Sequence, residues 1–217
     1  MSKERPILFN GDMVRAILAG RKTQTRRAVK LPHNNPLGQW EASTVGGYGA
    51  RDSKRNLVPE QACIWHTRTG DTLVCPLGDV GNRIWVRESF WGCDLPGYGD
   101  QPCVVYDDEW QGNEYRPAEA RPWARKFGRI PAIHMPRDAC RLVLEISAVR
   151  VERLQDISEA DALAEGIEGI GGRFTFNGGR HESLTARSSF MTLWDSTGGM
   201  WVDNPWVWVV EFKQVTA

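Results

Sequence analysis

The chain predicts one mixed α+β domain spanning residues 1–217, built on a curved sheet or small β-barrel with helices beside it. Short apolar runs with a two-residue period or with clustered β-branched residues recur along it, as strands do. Only three stretches carry helical spacing. Two others, at about 31–70 and 92–128, are rich in Gly, Pro or aromatic residues and are read as loop-rich insertions. The length is ample for a buried core, and no segment repeats.

Pro6 to Phe9 reads as a short strand leading into a helix over Met13 to Leu18. Asn10 is placed to cap that helix, and Met13/Ile17 and Val14/Leu18 are spaced to share one face. Gly20 is placed to end it in a left-handed turn. A basic strand follows, in which Thr23, Thr25 and Arg27 alternate with Lys22, Gln24 and Arg26. Leu31 to Arg68 has little hydrophobic period and reads as an extended loop. Gly78 to Trp91 is a turn feeding a strand, with Ile84, Val86 and Glu88 on one face and Trp85, Arg87 and Ser89 on the other. Cys103 to Tyr106 is a further short strand, and Cys140 to Val151 a strong one. Ser158 caps a helix closed by Glu165 and Gly166, with Asp161 in the position of a capping-box acid. Gly169 to Gly179 reads as a glycine-rich loop. The third helix lies near Arg187 to Asp195, where Phe190, Leu193 and Trp194 share a face, and the chain closes in a strand over residues 204–212.

Charge is balanced, with 27 basic and 27 acidic residues, so the whole molecule favours no charged partner. The distribution is uneven: residues 1–72 hold twelve Lys/Arg against six Asp/Glu. Arginine outnumbers lysine 21 to 6, and its planar fork suits phosphate contacts and base stacking. No apolar run approaches the roughly 20 residues of a membrane span. The first residues lack a signal-peptide core, and the five cysteines form no CxxC pair, so a cytoplasmic, reduced protein is expected.

Four groups of residues carry candidate chemistry. Lys22 and Thr25 stand among Arg21, Arg26 and Arg27, which favours either an anion site or a hydroxyl activated by an amine of lowered pKa. The same residues equally describe a solvated cationic edge strand. In a regular strand Lys22 and Thr25 would start on opposite faces, so they converge only if the turn after Gly20 takes Lys22 out of strand geometry. Glu165 sits at a helix C-terminus, where the backbone dipole disfavours a carboxylate. Glu88 is a second acid candidate, or else an ion-pair partner of one of the arginines. Cys63 and His66 have ligand spacing without a second pair, so no metal and no cofactor is expected; His134 reads as a structural or substrate-edge histidine. Arginines with Trp85, Trp91 and the Trp206/Trp208 pair form a candidate nucleic-acid surface, with core packing as the alternative fate of the tryptophans.

The segment Ile17-Leu-Ala-Gly-Arg-Lys-Thr-Gln-Thr-Arg26 resembles the signature of ASCH domains, a branch of the PUA-like superfamily. Leu154 to Gly166, the closing Trp-Val-Val-Glu-Phe, Gly-Asn-Arg-Ile-Trp-Val-Arg-Glu and Ile-His-Met-Pro-Arg are similar to segments of the longer ASCH proteins of phages and prophages. The resemblance implies a small PUA-type β-barrel with a cleft for a nucleoside, nucleotide or RNA. Other ASCH proteins are reported as ribonucleases; the best understood small ASCH enzymes are bacterial N4-acetylcytidine amidohydrolases that use a lysine, a threonine and a glutamate. Carried over by motif, these are Lys22, Thr25 and Glu165, with Thr25 attacking the amide carbonyl, Lys22 assisting its deprotonation and Glu165 handling protons. Arg21, Arg26, Arg27, Trp85, Glu88 and His134 are the candidate substrate-binding residues. A binding module without turnover is the alternative expectation, and a ribonuclease the third. The chain departs from the small amidohydrolases in its greater length and in carrying Arg26 where they have an apolar residue.

Overall fold

The computed structural model describes residues 4–94, 102–106, 116–117, 128–179 and 181–215. Its first part runs β1 (Glu4–Leu8), α1 (Gly11–Leu18), β2 (Gln24–Ala28), β3 (Trp40–Val45), β4 (Gln61–His66), β5 (Thr72–Val74) and β6 (Arg83–Arg87). The middle holds β7 (Phe90–Asp94), β8 (Pro102–Tyr106), β9 (Arg116–Pro117) and β10 (Gly128–Ile130). The last part holds β11 (Val143–Arg153), α2 (Glu159–Ala164), β12 (Glu168–Ile170), β13 (Arg173–Thr175), α3 (Ala186–Ser196) and β14 (Trp206–Val215). The fold is mixed α+β, with strands dominant and three α-helices among the described residues.

The centre is a five-stranded sheet in the order β1-β6-β11-β14-β2. β1 runs parallel to β6, and the other pairs are antiparallel. Among the described residues β1 and β2 are its two edges, with no ladder between them. β11 and β14 pair from Val143↔Val215 to Arg153↔Trp206, with an irregularity between Ile146 and Ala148 that bends the pair. Residues of β14 are buried on both faces, which explains its unbroken apolar run. Trp208, Val210 and Phe212 enter the main core with Ile84, Val86, Leu144 and Phe9, whereas Val207 and Val209 pack under the helices with Leu154, Phe190 and Leu193.

The helices start and stop where local chemistry dictates. The Asn10 side chain accepts from Met13 N at the start of α1, and Gly20 leaves it at φ +72°. Ser158 and Asp161 form a reciprocal capping box on α2, and Gly166 follows its C-cap at φ +100°.

Three sequence readings are corrected. The stretch read as an extended loop after residue 31 contains β3 and β4, which with β5 form a three-stranded antiparallel sheet. It shows no hydrophobic period because β3 buries only Trp40 while its other residues face out or lie half-covered. The glycine-rich segment after Gly169 is a hairpin of β12 and β13 turning at Gly171 and Gly172, both at positive φ. β11 also starts at Val143, since Arg137–Ala139 forms a 3-10 turn just ahead of it. Most of the second expected insertion, 92–128, lies outside the described residues. Its described strands join β10-β7-β8-β9, over a small core of Phe90, Val104, Tyr106, Ile130 and Met135.

Candidate functional site

The left-handed turn at Gly20 takes Lys22 out of strand geometry. Lys22 N donates to the Ala16 carbonyl and Thr23 N to that of Ala164, so the chain leaves α1 against the C-terminus of α2. An isolated bridge there sets Lys22 opposite Glu165. Lys22 Nζ donates to both the Glu165 backbone oxygen and its carboxylate Oε2, each at 2.8 Å. Lys22 is 2% exposed and Glu165 4%, so the pair is withdrawn from water. Burial pushes the Lys22 ammonium below its ordinary pKa; Glu165 opposes the fall, and Arg27 and Arg26 add to it.

The carboxylate at the end of α2 is held by more than lysine. Arg26 Nη1 donates to Glu165 Oε1 at 3.2 Å, and its Nη2 reaches Glu152 and, at 3.5 Å, Asp161. Arg150 meets Asp161 at 2.7 Å, Glu152 at 3.1 Å, and Glu211. The unfavourable dipole at the helix end is therefore offset by two cations in direct contact. Arg26 Nε is buried without a hydrogen-bond partner among the described residues.

β2 splits the motif between two faces. Arg26 lies opposite Val209, on the side of the helices, while Thr25 lies opposite Val210 and Arg27 opposite Trp208, on the side of the main core. Thr25 is 3% exposed, and the Lys22 amine beside it is bonded to Glu165 rather than to its hydroxyl. Lys22 and Thr25 are thus both buried near one turn without being bonded to each other. Phe9 links the two sides: Lys22 Nζ lies 5.6 Å and the Arg27 guanidinium 5.3 Å from its ring centroid. Arg21 is exposed and faces Glu168 at 3.9 Å.

The remaining candidates sit elsewhere. Glu88 is buried and takes a two-pronged ion pair from Arg141, at 2.9 and 2.8 Å, whose guanidinium stacks 4.0 Å from the Tyr106 ring centroid. Trp85 is half-buried with Arg87 over its ring at 5.3 Å. His134 is exposed at the end of the 3-10 turn Ala132–His134. Trp208 is core, and half-buried Trp206 packs on the same cluster beneath Arg153. Cys63 and His66 are both buried on β4, where His66 accepts from Arg68 N and Thr69 N and its Nε2 faces the Asn35 carbonyl.

Sequence reasoning did not single out Glu152, Arg150 or Asp161 as members of the charge cluster around Arg26. A signal for the first two was present, since Arg150 and Glu152 alternate with Val149 and Val151 and so place two charges on one face of β11. Nor did it find the groove of about 710 Å³ between the sheet edges β1 and β2. That groove includes Ile7, Leu8, Leu73, Leu77 and Trp208, together with Arg27, Lys30 and Arg87. Lys22 and Thr25 line neither that groove nor the two smaller cavities near Gly166, one of which Glu165 borders beside Phe176.

Comparison of the chain with protein-family models, with curated proteins and with solved structures found no match. Among the described residues no helix is long and apolar enough to cross a membrane.

Proposed function

We propose that the chain is an ASCH-like, nucleoside- or RNA-directed protein of the phage type, and that its site hydrolyses the amide of an N4-acylated cytidine. In this reading the central sheet is a PUA-like barrel left open along β1 and β2, and the seam between them is the binding cleft. The observation that carries it is the buried Lys22–Glu165 pair, two residues 143 positions apart that the ASCH resemblance independently puts in one site. A lysine whose pKa is lowered by burial gives up its proton more readily, as an activating amine must.

The reaction then runs in two steps. Thr25 Oγ1 bonds to the acyl carbon and the C–N4 bond breaks; the threonine proton passes through the Lys22–Glu165 pair to the leaving N4. Water next cleaves the acyl-threonine, releasing the carboxylic acid and restoring the hydroxyl. Because Thr25 and Lys22 are unbonded and buried at rest, binding must bring the hydroxyl and amine together. The test is hydrolysis of N4-acetylcytidine followed by its absorbance. Wild type is expected to turn over, and Thr25→Ala to lose turnover by at least about a hundredfold with its thermal midpoint little changed. A folded wild type that leaves the compound intact overturns the catalytic assignment.

A specific observation favours the second reading, a nucleotide- or RNA-binding module without turnover: the accessible groove carries Arg27 but neither Lys22 nor Thr25. In that case RNA affinity falls steeply with salt while acylated nucleosides survive.

A further inference from the structure

The groove between β1 and β2 holds charge in an unusual way. Arg26, Arg137, Arg141 and Arg150 each face a carboxylate in an ion pair. Among the described residues the cations of the groove do not. Arg27 Nη2 donates to the Leu8 carbonyl at 2.8 Å; it feels the Glu165 carboxylate through space but forms no ion pair with it. Arg87 Nε donates to the Met135 carbonyl at 3.1 Å, and its Nη2 to that of Ile133. Lys30 is exposed, with no ion pair among the described residues. Neutral carbonyls therefore aim two guanidiniums without cancelling their charge, and among the described residues no Asp or Glu lines the groove.

Between these cations the walls are apolar, with Ile7, Leu73 and Leu77 around the edge of Trp208. The volume, about 710 Å³, falls within the range of roughly 300–1,000 Å³ typical of small-molecule sites. Such a surface fits a ligand with a flat or apolar body and a multiply charged anionic end. A phosphate monoester meets that need, since its oxygens accept from several cations at once and match the arginine fork.

We propose that the groove binds a nucleoside monophosphate, with the phosphate held by Arg27, Arg87 and Lys30 and the base against the apolar wall. The choice of base rests on the nucleoside-directed reading above; the phosphate subsite rests on the unneutralised cations alone. Arg87 belongs to β6, and its guanidinium grips the carbonyls of Ile133 and Met135.

The experiment is titration calorimetry of the whole chain with cytidine 5′-monophosphate, cytidine and inorganic phosphate, at low and at moderate salt. The monophosphate is expected to bind at least about tenfold more tightly than cytidine, with affinity falling as salt rises, and phosphate is expected to compete. Arg87→Gln should weaken the monophosphate at least tenfold while leaving cytidine unchanged. Because Arg87 also holds two carbonyls, Lys30→Glu serves as the second variant: Lys30 makes no described contact that folding needs, and the reversal should weaken the monophosphate by a similar factor. Equal affinity for cytidine and its monophosphate overturns the phosphate subsite and leaves the nucleoside reading standing. Binding of RNA without binding of the mononucleotide also overturns it. If cytidine, monophosphate and RNA all fail to bind, both readings fall together. A monophosphate bound through Lys30 and Arg87 by a protein that hydrolyses no acylcytidine upholds the subsite and removes only the catalytic assignment.

Discussion

A buried lysine is tolerated only when its charge is matched or surrendered, and Lys22 shows both. Two short bonds to Glu165 match it, while burial and the neighbouring arginines lower its pKa. Removing one member of such a pair costs more than the pair is worth, because the other charge stays behind. Lys22→Met is therefore expected to cost about 3–5 kcal/mol in urea unfolding. The lysine also carries a pH signature. Folded Lys22 loses its proton at lower pH than the same residue in the unfolded chain, so between the two pKa values the unfolded state holds more protons. Stability contributed by this group must rise with pH through that window, below the ordinary lysine value. The difference in urea midpoint between wild type and Lys22→Met should accordingly grow in favour of wild type on going from about pH 8 to about pH 10. A difference that shrinks would mean the ammonium is stabilised in place.

At the scale of elements, the site depends on how α2 ends. Gly166 follows Glu165 at φ +100°, where a side chain is strained, and a Cβ there would lie 3.1 Å from Ala16 Cβ and 3.2 Å from Lys22 Cβ. The glycine lets the two helix ends and the lysine stem close on one another. Gly166→Ala is expected to destabilise by about 1–3 kcal/mol through crowding and backbone strain together. Gly172 in the β12–β13 turn provides the contrast, at φ +79° with open space around its Cβ position. There alanine meets strain alone, so the fall in thermal midpoint should be smaller. Equal losses at the two glycines would show that the close approach to Lys22 contributes nothing.

For the whole molecule, the question is whether the β3–β4–β5 sheet is an appendage or part of the core. Trp40, Ile64 and Cys75 lie in the same buried cluster as Ile84, Leu144 and Val210, and Ile64 is fully buried. Ile64→Ala is thus expected to lower global stability by about 2–5 kcal/mol. Amides of β4 should exchange with the same free energy as those of β11, as members of one cooperative unit. Loss of protection in β4 alone, with β11 unaffected, would mark the small sheet as a separately unfolding attachment.

Local chemistry alone predicted much of this architecture. The Asn10 and Ser158 caps, the glycine after α1, the helices and the runs of β6, β8, β11 and β14 were legible because each rests on residues adjacent in the chain. β3 was not, because an exposed strand that buries a single residue leaves no hydrophobic period to find. The basic segment at 21–27 could be read either as a solvated edge or as a site, and its own residues do not choose. Its placement was decided by Ala16, Ala164 and Glu165, which draw Lys22 out of the strand, and by the alternation of β2, which turns Arg26 toward Glu152 and Asp161 and Thr25 toward the core. The groove between β1 and β2 is likewise a tertiary property. It exists because two edges distant in sequence face each other across a gap, and because backbone carbonyls rather than acids hold the arginines beside it. Caps and periodicity are short-range and so are written in sequence order; burial of charge and the shape of a cleft depend on contacts that only folding brings together.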